Sequence, residues 1–201
     1  MVWAGSMVPA YLLGAFPTAY LVARWLRGID IRNVGSGNAG ALNVYRQLGW
    51  RAAVPVLLVD AAKGAAAASL ARLLGAPDAA LSLASVAAVV GHNWSLFLGF
   101  SGGKGVATAL GALLVLLPLH TAAAVPAAVL VMVVLRSAAL GFAAGFLLLD
   151  ALALATGQPL GLVLTCLALT VLTAATHFGR AAPTILRLVR ERRWREITQV
   201  E

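Results

Sequence analysis

A chain of 201 residues that is 61% hydrophobic, with a mean hydropathy of +0.92, is not an ordinary soluble globule. Soluble domains hold about 45–50% apolar residues, and a fold this small leaves too much surface in water to hide the excess. The formal net charge of +8, from 15 Lys+Arg against 7 Asp+Glu, would suggest nucleic acid in a soluble protein. Here the basic residues sit in the connections between apolar runs, and that placement accounts for the high charge without nucleic acid. The single Cys166 excludes an intrachain disulfide and any metal site built on cysteines.

A membrane-crossing helix needs about 20 mostly apolar residues. Lipid offers no partner to a bare N–H or C=O, so helix is the expected form of each apolar run. The sequence predicts spans near 2–23, 52–74, 79–98, 105–119, 121–135, 138–155 and 160–178. The expected fold is an all-α polytopic membrane helix bundle of about seven transmembrane helices, in one domain over 1–201. The first run has no basic segment ahead of it, which reads as a retained span rather than a cleaved signal peptide. The fourth and fifth runs are short and meet at Leu119-His120, just after Pro118. They form either a hairpin of short helices or one bent element, and merging or demoting them gives a five-span alternative. No internal repeat is evident.

The connections set an orientation. Segments 24–51, 99–104, 136 and 180–201 hold Arg24, Arg27, Arg32, Arg46, Arg51, Lys104, Arg136, Arg180, Arg187, Arg190, Arg192, Arg193 and Arg195. Those near 75–78, 120 and 156–159 hold no Lys or Arg. With seven spans the basic connections fall on one side, and the positive-inside rule puts the N-terminus outside and the C-terminus in the cytoplasm. Anionic headgroups favour the same arginines. The stretch 185–201 mixes Ile185, Leu186, Leu188 and Trp194 with arginines, and is expected to lie as an amphipathic helix on the inner surface.

Three segments carry more Gly and polar residues than a connector or a span requires. In Val34–Arg46, Gly35 and Gly37 permit a turn whose successive N–H groups form an anion-binding nest. Ser36 and Asn38 add donors and are suited to cap the helix that follows, whose N-terminus would face the same anion. A flexible loop before a capped interfacial helix is the plainer alternative. In Gly99–Thr108, Gly102, Gly103 and Gly105 surround Lys104. Glycine lets backbone approach a ligand closely, and a lysine ammonium is a point charge suited to phosphate. The alternative is a glycine-rich turn with a positive-inside lysine. A Walker A motif is excluded, because Gly105 follows Lys104 and Leu98 stands where the first glycine belongs. Inside the second span, Asp60 and Lys63 are spaced i, i+3 on one helix face and so pair; a charge in a span needs such a partner. The pair is either purely structural or orients a site. His92, His177 and Arg136 are further candidates for contacting phosphate or moving a proton, each also explicable by its place at a helix end. Asp150 has no partner evident in the sequence.

Taken together, Gly35-Ser36-Gly37-Asn38-Ala39-Gly40-Ala41-Leu42-Asn43-Val44, Asp60-Ala61-Ala62-Lys63-Gly64, Gly91-His92 and Gly102-Gly103-Lys104-Gly105-Val106-Ala107-Thr108 resemble the PlsY family in order and spacing. These are bacterial acyl-phosphate:glycerol-3-phosphate acyltransferases. The resemblance runs from Pro17-Thr18-Ala19-Tyr20 to His177. It implies a seven-span protein of the bacterial plasma (inner) membrane with its site on the cytoplasmic side. It implies acyl phosphate as donor, supplied by an acyl-phosphate-forming enzyme, sn-glycerol 3-phosphate as acceptor, and lysophosphatidic acid as product in phospholipid synthesis. It implies no cofactor, coenzyme A or metal.

Residue by residue, the resemblance gives phosphate to Gly35, Ser36, Gly37, Asn38 and Asn43. It gives glycerol phosphate to Arg46, Lys104 and His177, and acyl phosphate to Gly102, Gly103, Lys104 and Gly105, with Thr108 nearby. Ser36, Asn38, Lys104 and His177 are the expected catalytic positions; His92 and Arg136 join the substrate-binding set. The chain departs from the family pattern at Leu42, at Asn93-Trp94-Ser95, at Ala139 and at Arg180, mostly on the acceptor side. Two other readings remain: a non-catalytic membrane paralogue that binds a phosphorylated lipid precursor, and a transporter of phosphorylated metabolites. A transporter would be expected to show internal repeats or paired broken helices.

Overall fold

The computed structural model describes residues 2–192. Proline sets the first break. α1 (Val2–Ala15) ends where Phe16 precedes Pro17, because a residue before proline is pushed out of the helical region. α2 (Thr18–Arg27) resumes directly, and the two make one apolar stretch, Ser6–Arg27, of 22 residues. A loop with a short 3₁₀ turn (Ile31–Asn33) leads to α3 (Ala41–Leu48) and α4 (Trp50–Leu73). α5 (Asp78–Asn93) follows Pro77, and a second 3₁₀ turn (Leu96–Leu98) opens the connection to α6 (Val106–Leu116). α7 (Pro118–Leu135) has proline in its first turn, where the missing N–H costs nothing. α8 (Ala138–Ala155) and α9 (Leu160–Arg190) complete the described chain. The molecule is an all-helical polytopic membrane protein.

The chain divides into two compact units, Met1–Leu116 and Leu117–Glu201. In the first, helices meet through small residues in reciprocal pairs. A side chain on Gly14 would strike the Ala88 backbone, and one on Gly91 the Tyr11 backbone, which locks α1 to α5. Gly64 abuts the Thr108 carbonyl and Gly111 the Ala61 carbonyl, which locks α4 to α6. Lipid tails are as apolar as leucine, so close backbone approach is what holds such helices together. Ala19, Ala23, Ile31, Val44, Ala53, Val56 and Leu98 form a buried cluster at the end of this unit, beneath the loop 28–40.

In the second unit, Gly141 of α8 packs on Met132 of α7 and Gly145 on Ala128, a falling register that makes the pair an antiparallel hairpin. The turn is Arg136, left-handed at φ 50°, followed by Ser137, whose hydroxyl oxygen accepts the Leu140 N–H. At the hairpin's other end His120 Nε2 lies 2.8 Å from Thr156 Oγ1. Thr165, Thr173 and Thr176 of α9 donate back to carbonyls one turn earlier, which satisfies their hydroxyls inside an apolar helix.

Six helical stretches among the described residues are long and apolar enough to cross a membrane. The expected span at 105–119 is instead α6, only 11 residues. At 1.5 Å per residue it is about 16 Å long, half the hydrocarbon thickness of about 30 Å. Leu117, turned out of the helical region ahead of Pro118, is what stops it. By the same measure α9, with 31 residues, is about 46 Å long and outreaches the bilayer core. Of the expected amphipathic tail at 185–201, residues 185–190 continue α9 and residues 193–201 lie outside the described residues.

Candidate active site

The loop 28–40 is folded around one side chain. Asn43, in the first turn of α3 and 1% exposed, shares its amide N–H groups among the carbonyls of Ile31 (3.0 Å), Val34 (3.0 Å) and Asn38 (3.1 Å). Its Oδ1 accepts the Ser36 N–H at 3.2 Å, and the Gly37 N–H closes on the Val34 carbonyl at 3.1 Å. Gly35 and Gly37 take φ of 60° and 71°, backbone that glycine adopts without strain. Two expectations are corrected by this geometry. The N–H groups of Ser36 and Gly37 face acceptors of the protein itself rather than forming an outward nest. The N-cap position of α3 is Gly40, so neither Ser36 nor Asn38 occupies it. Asn43 holds the loop together. The Ser36 side chain is exposed and Asn38 is half-buried.

A second clamp ties this loop to the next. The Arg32 guanidinium pairs with both carboxylate oxygens of Asp30 (2.7 to 3.2 Å), its Nη1 donates to the Leu98 carbonyl at 2.8 Å, and it lies 5.5 Å from the Tyr20 ring centre. Asp30 also accepts the Arg32 backbone N–H at 2.9 Å. Hydrogen bonding from Arg32 holds the Asp30 carboxyl below its ordinary range, and Asp30 in turn raises the pKa of Arg32. Sequence reading missed this pair; the i, i+2 spacing of opposite charges in a loop was its only signal.

The glycine-rich segment after α5 is held by backbone. The Gly102 N–H donates to the Asn93 carbonyl at 3.1 Å and the Gly103 N–H to the His92 carbonyl at 2.9 Å. A side chain on Gly102 would strike the His92 carbonyl. One on Gly103 would strike the His92 ring, with the Ala39 carbonyl 3.0 Å away on the other side. The two glycine-rich segments therefore touch at Gly103 and Ala39. The expectation that these glycines make room for a ligand needs correcting in part: at Gly102 and Gly103 they make room for the protein's own α5. Lys104, half-buried, follows this tightly fixed point and precedes α6.

Beneath both segments lies a buried polar group. Lys63 Nζ donates to Asp60 Oδ1 at 2.6 Å and to the Phe16 carbonyl at 2.5 Å. His92 Nδ1 is 3.8 Å from the same Asp60 oxygen. All three side chains are more than nine-tenths buried. They line a cavity of about 10 Å³ with Thr18, Ser95, Ala39, Gly102 and Gly103. The Ser95 hydroxyl donates to the Ala15 carbonyl at 2.5 Å. Thr18 and Ser95 were not singled out by their chemistry in the sequence, because a lone hydroxyl beside a helix break carries no pattern.

The remaining expected residues are more scattered. Arg46 is exposed on α3. Thr108 is fully buried, its carbonyl against Gly64 in the α4–α6 contact. Arg136 and His177 belong to the second unit, Arg136 exposed at the α7–α8 turn and His177 half-buried, edge-on to Phe178. No group of three or more His, Cys, Asp or Glu side chains gathers as a metal site among the described residues.

Comparison with known proteins puts a chemistry beside this geometry. Residues 4–190 match the family "Glycerol-3-phosphate acyltransferase". A glycerol-3-phosphate acyltransferase of Thermus thermophilus is 43% identical over 176 residues, 88% of this chain and 87% of that one. Glycerol-3-phosphate acyltransferase 2 of Moorella thermoacetica is 53% identical over 117 residues, 58% of this chain and 60% of that one. Among solved structures, the glycerol 3-phosphate form of PlsY, an integral membrane glycerol 3-phosphate acyltransferase, superposes with a TM-score of 0.85 at 31% identity, covering 96% of this chain and 94% of that one. The lysophosphatidic acid form superposes with a TM-score of 0.83 at 30% identity and the same coverage.

Proposed function

Since the chain belongs to the glycerol-3-phosphate acyltransferase family of integral membrane proteins, we propose that it transfers an acyl group from acyl phosphate to sn-glycerol 3-phosphate, releasing lysophosphatidic acid and inorganic phosphate. The observation that carries the reading is the meeting of the two glycine-rich segments at Ala39 and Gly103, with Lys104 next in the chain and three buried ionisable groups beneath.

The chemistry suits such a site. The C1 hydroxyl oxygen of glycerol 3-phosphate bonds to the acyl carbonyl carbon, the carbon–oxygen bond to phosphate breaks, and the electron pair leaves with phosphate. The hydroxyl proton passes to a phosphate oxygen of the substrates. An acyl phosphate is already activated, so positioning of the two substrates and stabilisation of charge supply most of what the protein must add. Lys104 places a positive charge against the phosphoryl oxygens. Ser36 and Asn38 are candidate phosphate contacts, Arg46 and His177 keep the glycerol-phosphate roles that the family resemblance implies, and Arg136 keeps its place in the substrate-binding set. Leu42, Ala139 and Arg180 make the acceptor the part of the reaction in which this chain differs most from the family pattern. We further propose that the N-terminus lies outside, with the site on the cytoplasmic side of a bacterial plasma membrane and an acyl-phosphate-forming enzyme as supplier of the donor. The charge asymmetry of the connections supports that orientation.

Purified protein in detergent, given palmitoyl phosphate and glycerol 3-phosphate, is expected to form lysophosphatidic acid and phosphate, and Lys104→Ala is expected to abolish this while remaining folded. Absence of product from the wild type, with both ligands still bound, would leave the non-catalytic reading in its place.

A further inference from the structure

The small cavity under the two glycine-rich segments has unused donors. Thr18, 6% exposed at the first position of α2, has no hydrogen-bond partner for its hydroxyl and lines this cavity. An ammonium carries three N–H donors, and Lys63 places two, on Asp60 and Phe16. Buried hydroxyls and ammonium protons are nearly always paired. A cavity of about 10 Å³ is near the lower limit for one oxygen-sized group. The walls supply charge and orientation: Phe16 and Thr18 from the α1–α2 break, Asp60 and Lys63 from α4, His92 from α5, and Gly103 with Ala39 at the mouth.

We infer that Thr18 and Lys63 form a recessed contact for one phosphoryl oxygen of a substrate bound at the glycine-rich segments. This rests on the proposed acyl transfer. The unpaired Thr18 hydroxyl and the Lys63 ammonium line one space that fits a single atom, and the pairing of Lys63 with Asp60 holds the ammonium in place. A phosphoryl group is the chemistry common to both substrates, and a partly negative oxygen is what an ammonium and a hydroxyl bind together. The Phe16–Pro17 break then has a use beyond ending α1: it turns Thr18 into the unit at the depth where Lys63 emerges from α4.

The test compares Thr18→Val, which keeps the shape and removes the hydroxyl, with Thr18→Ser, which restores it. Kinetics are read with palmitoyl phosphate and glycerol 3-phosphate varied in turn. Thr18→Val is expected to raise KM for one of the two by roughly tenfold, while Thr18→Ser stays near the wild type; the substrate whose KM moves is the one that owns the oxygen. A paired variant, Asp60→Asn with Lys63→Gln, leaves no uncompensated buried charge and is expected to raise the same KM. Equal kinetics for folded Thr18→Val and wild type would overturn the inference, as would a Thr18→Ser variant no better than Thr18→Val, which marks a packing role. A readout independent of turnover separates this from failure of the proposed reaction. Palmitoyl phosphate and glycerol 3-phosphate are each added to the wild type and to Thr18→Val, and the thermal midpoint is followed. Loss in Thr18→Val of a stabilisation seen in the wild type supports the contact even if no product forms, and equal stabilisation in both contradicts it.

Discussion

The two glycine-rich segments look alike in sequence and are built in opposite ways. The loop 28–40 is organised by side chains: Asn43 at its centre and the Asp30–Arg32 pair at its edge. The segment 99–105 is organised by backbone: two N–H groups on the end of α5, with glycine where any side chain would strike His92. The first is therefore set by the identity of a few polar residues, and the second by the absence of side chains. A ligand meets the same product in both cases, a rigid turn, but the substitutions that break each one differ.

The largest effect is expected at Asn43. Asn43→Ala leaves the Ile31 carbonyl and the Ser36 N–H without their partner and takes one of two donors from the Val34 and Asn38 carbonyls, which keep the Gly37 and Gly40 N–H groups. At about 1–3 kcal/mol for each buried group left unsatisfied, and with some relief from water, the loss is about 3 kcal/mol of stability, read as a lower thermal midpoint in detergent together with loss of acyl transfer. Wild-type stability and activity in Asn43→Ala would break the contrast, since the loop would then not depend on a side chain.

A smaller loss is expected at Gly103. Gly103→Ala must displace the His92 ring and also crowds the Ala39 carbonyl; overpacking of this kind costs about 1–3 kcal/mol. Because Lys104 is the next residue, acyl transfer is expected to fall further than stability does. A double variant, Gly103→Ala with His92→Ala, sharpens the point: removal of the ring is expected to recover part of the stability lost, and no recovery would place the collision elsewhere.

The smallest effect concerns the Asp30–Arg32 clamp, whose side chains are 22% and 27% exposed. The folded pKa of Asp30 lies below its unfolded value near 4. Its contribution is therefore present above about pH 4 and lost as the pH falls through the lowered folded value. Solvent screening keeps it within about 1 kcal/mol. Thermal midpoints measured downward from about pH 6 are expected to drop less steeply in Asp30→Asn than in wild type over the range in which carboxylates protonate; identical slopes would show that the clamp does not report on this loop.

Much of the fold was legible because its causes are local. Apolar runs of span length and Pro118 mark most helices, and opposite charges at i, i+3 mark Asp60 and Lys63, while the break at Pro17 falls inside the expected span 2–23. What the sequence misread was the purpose of residues that act over distance. Asn43 gives no sign of its hold on the loop until three carbonyls from the preceding loop are found on its amide. Gly102 and Gly103 look like ligand clearance until the end of α5 is found against them. Span 105–119, already short in the sequence, is cut to the 11 residues of α6 where Leu117 leaves the helical region. Arg32 looks like one more positive-inside arginine, and only the fold brings the Leu98 carbonyl to it.

The most direct test of the account is the donor it assigns to the paired glycine-rich segments. Initial rates of lysophosphatidic acid formation from glycerol 3-phosphate should be measured on one preparation with palmitoyl phosphate and, separately, with palmitoyl-coenzyme A. The account predicts product with the acyl phosphate, matched one-to-one by inorganic phosphate, and none with the thioester. Product from the thioester, or from neither donor in protein that still binds glycerol 3-phosphate, would contradict it.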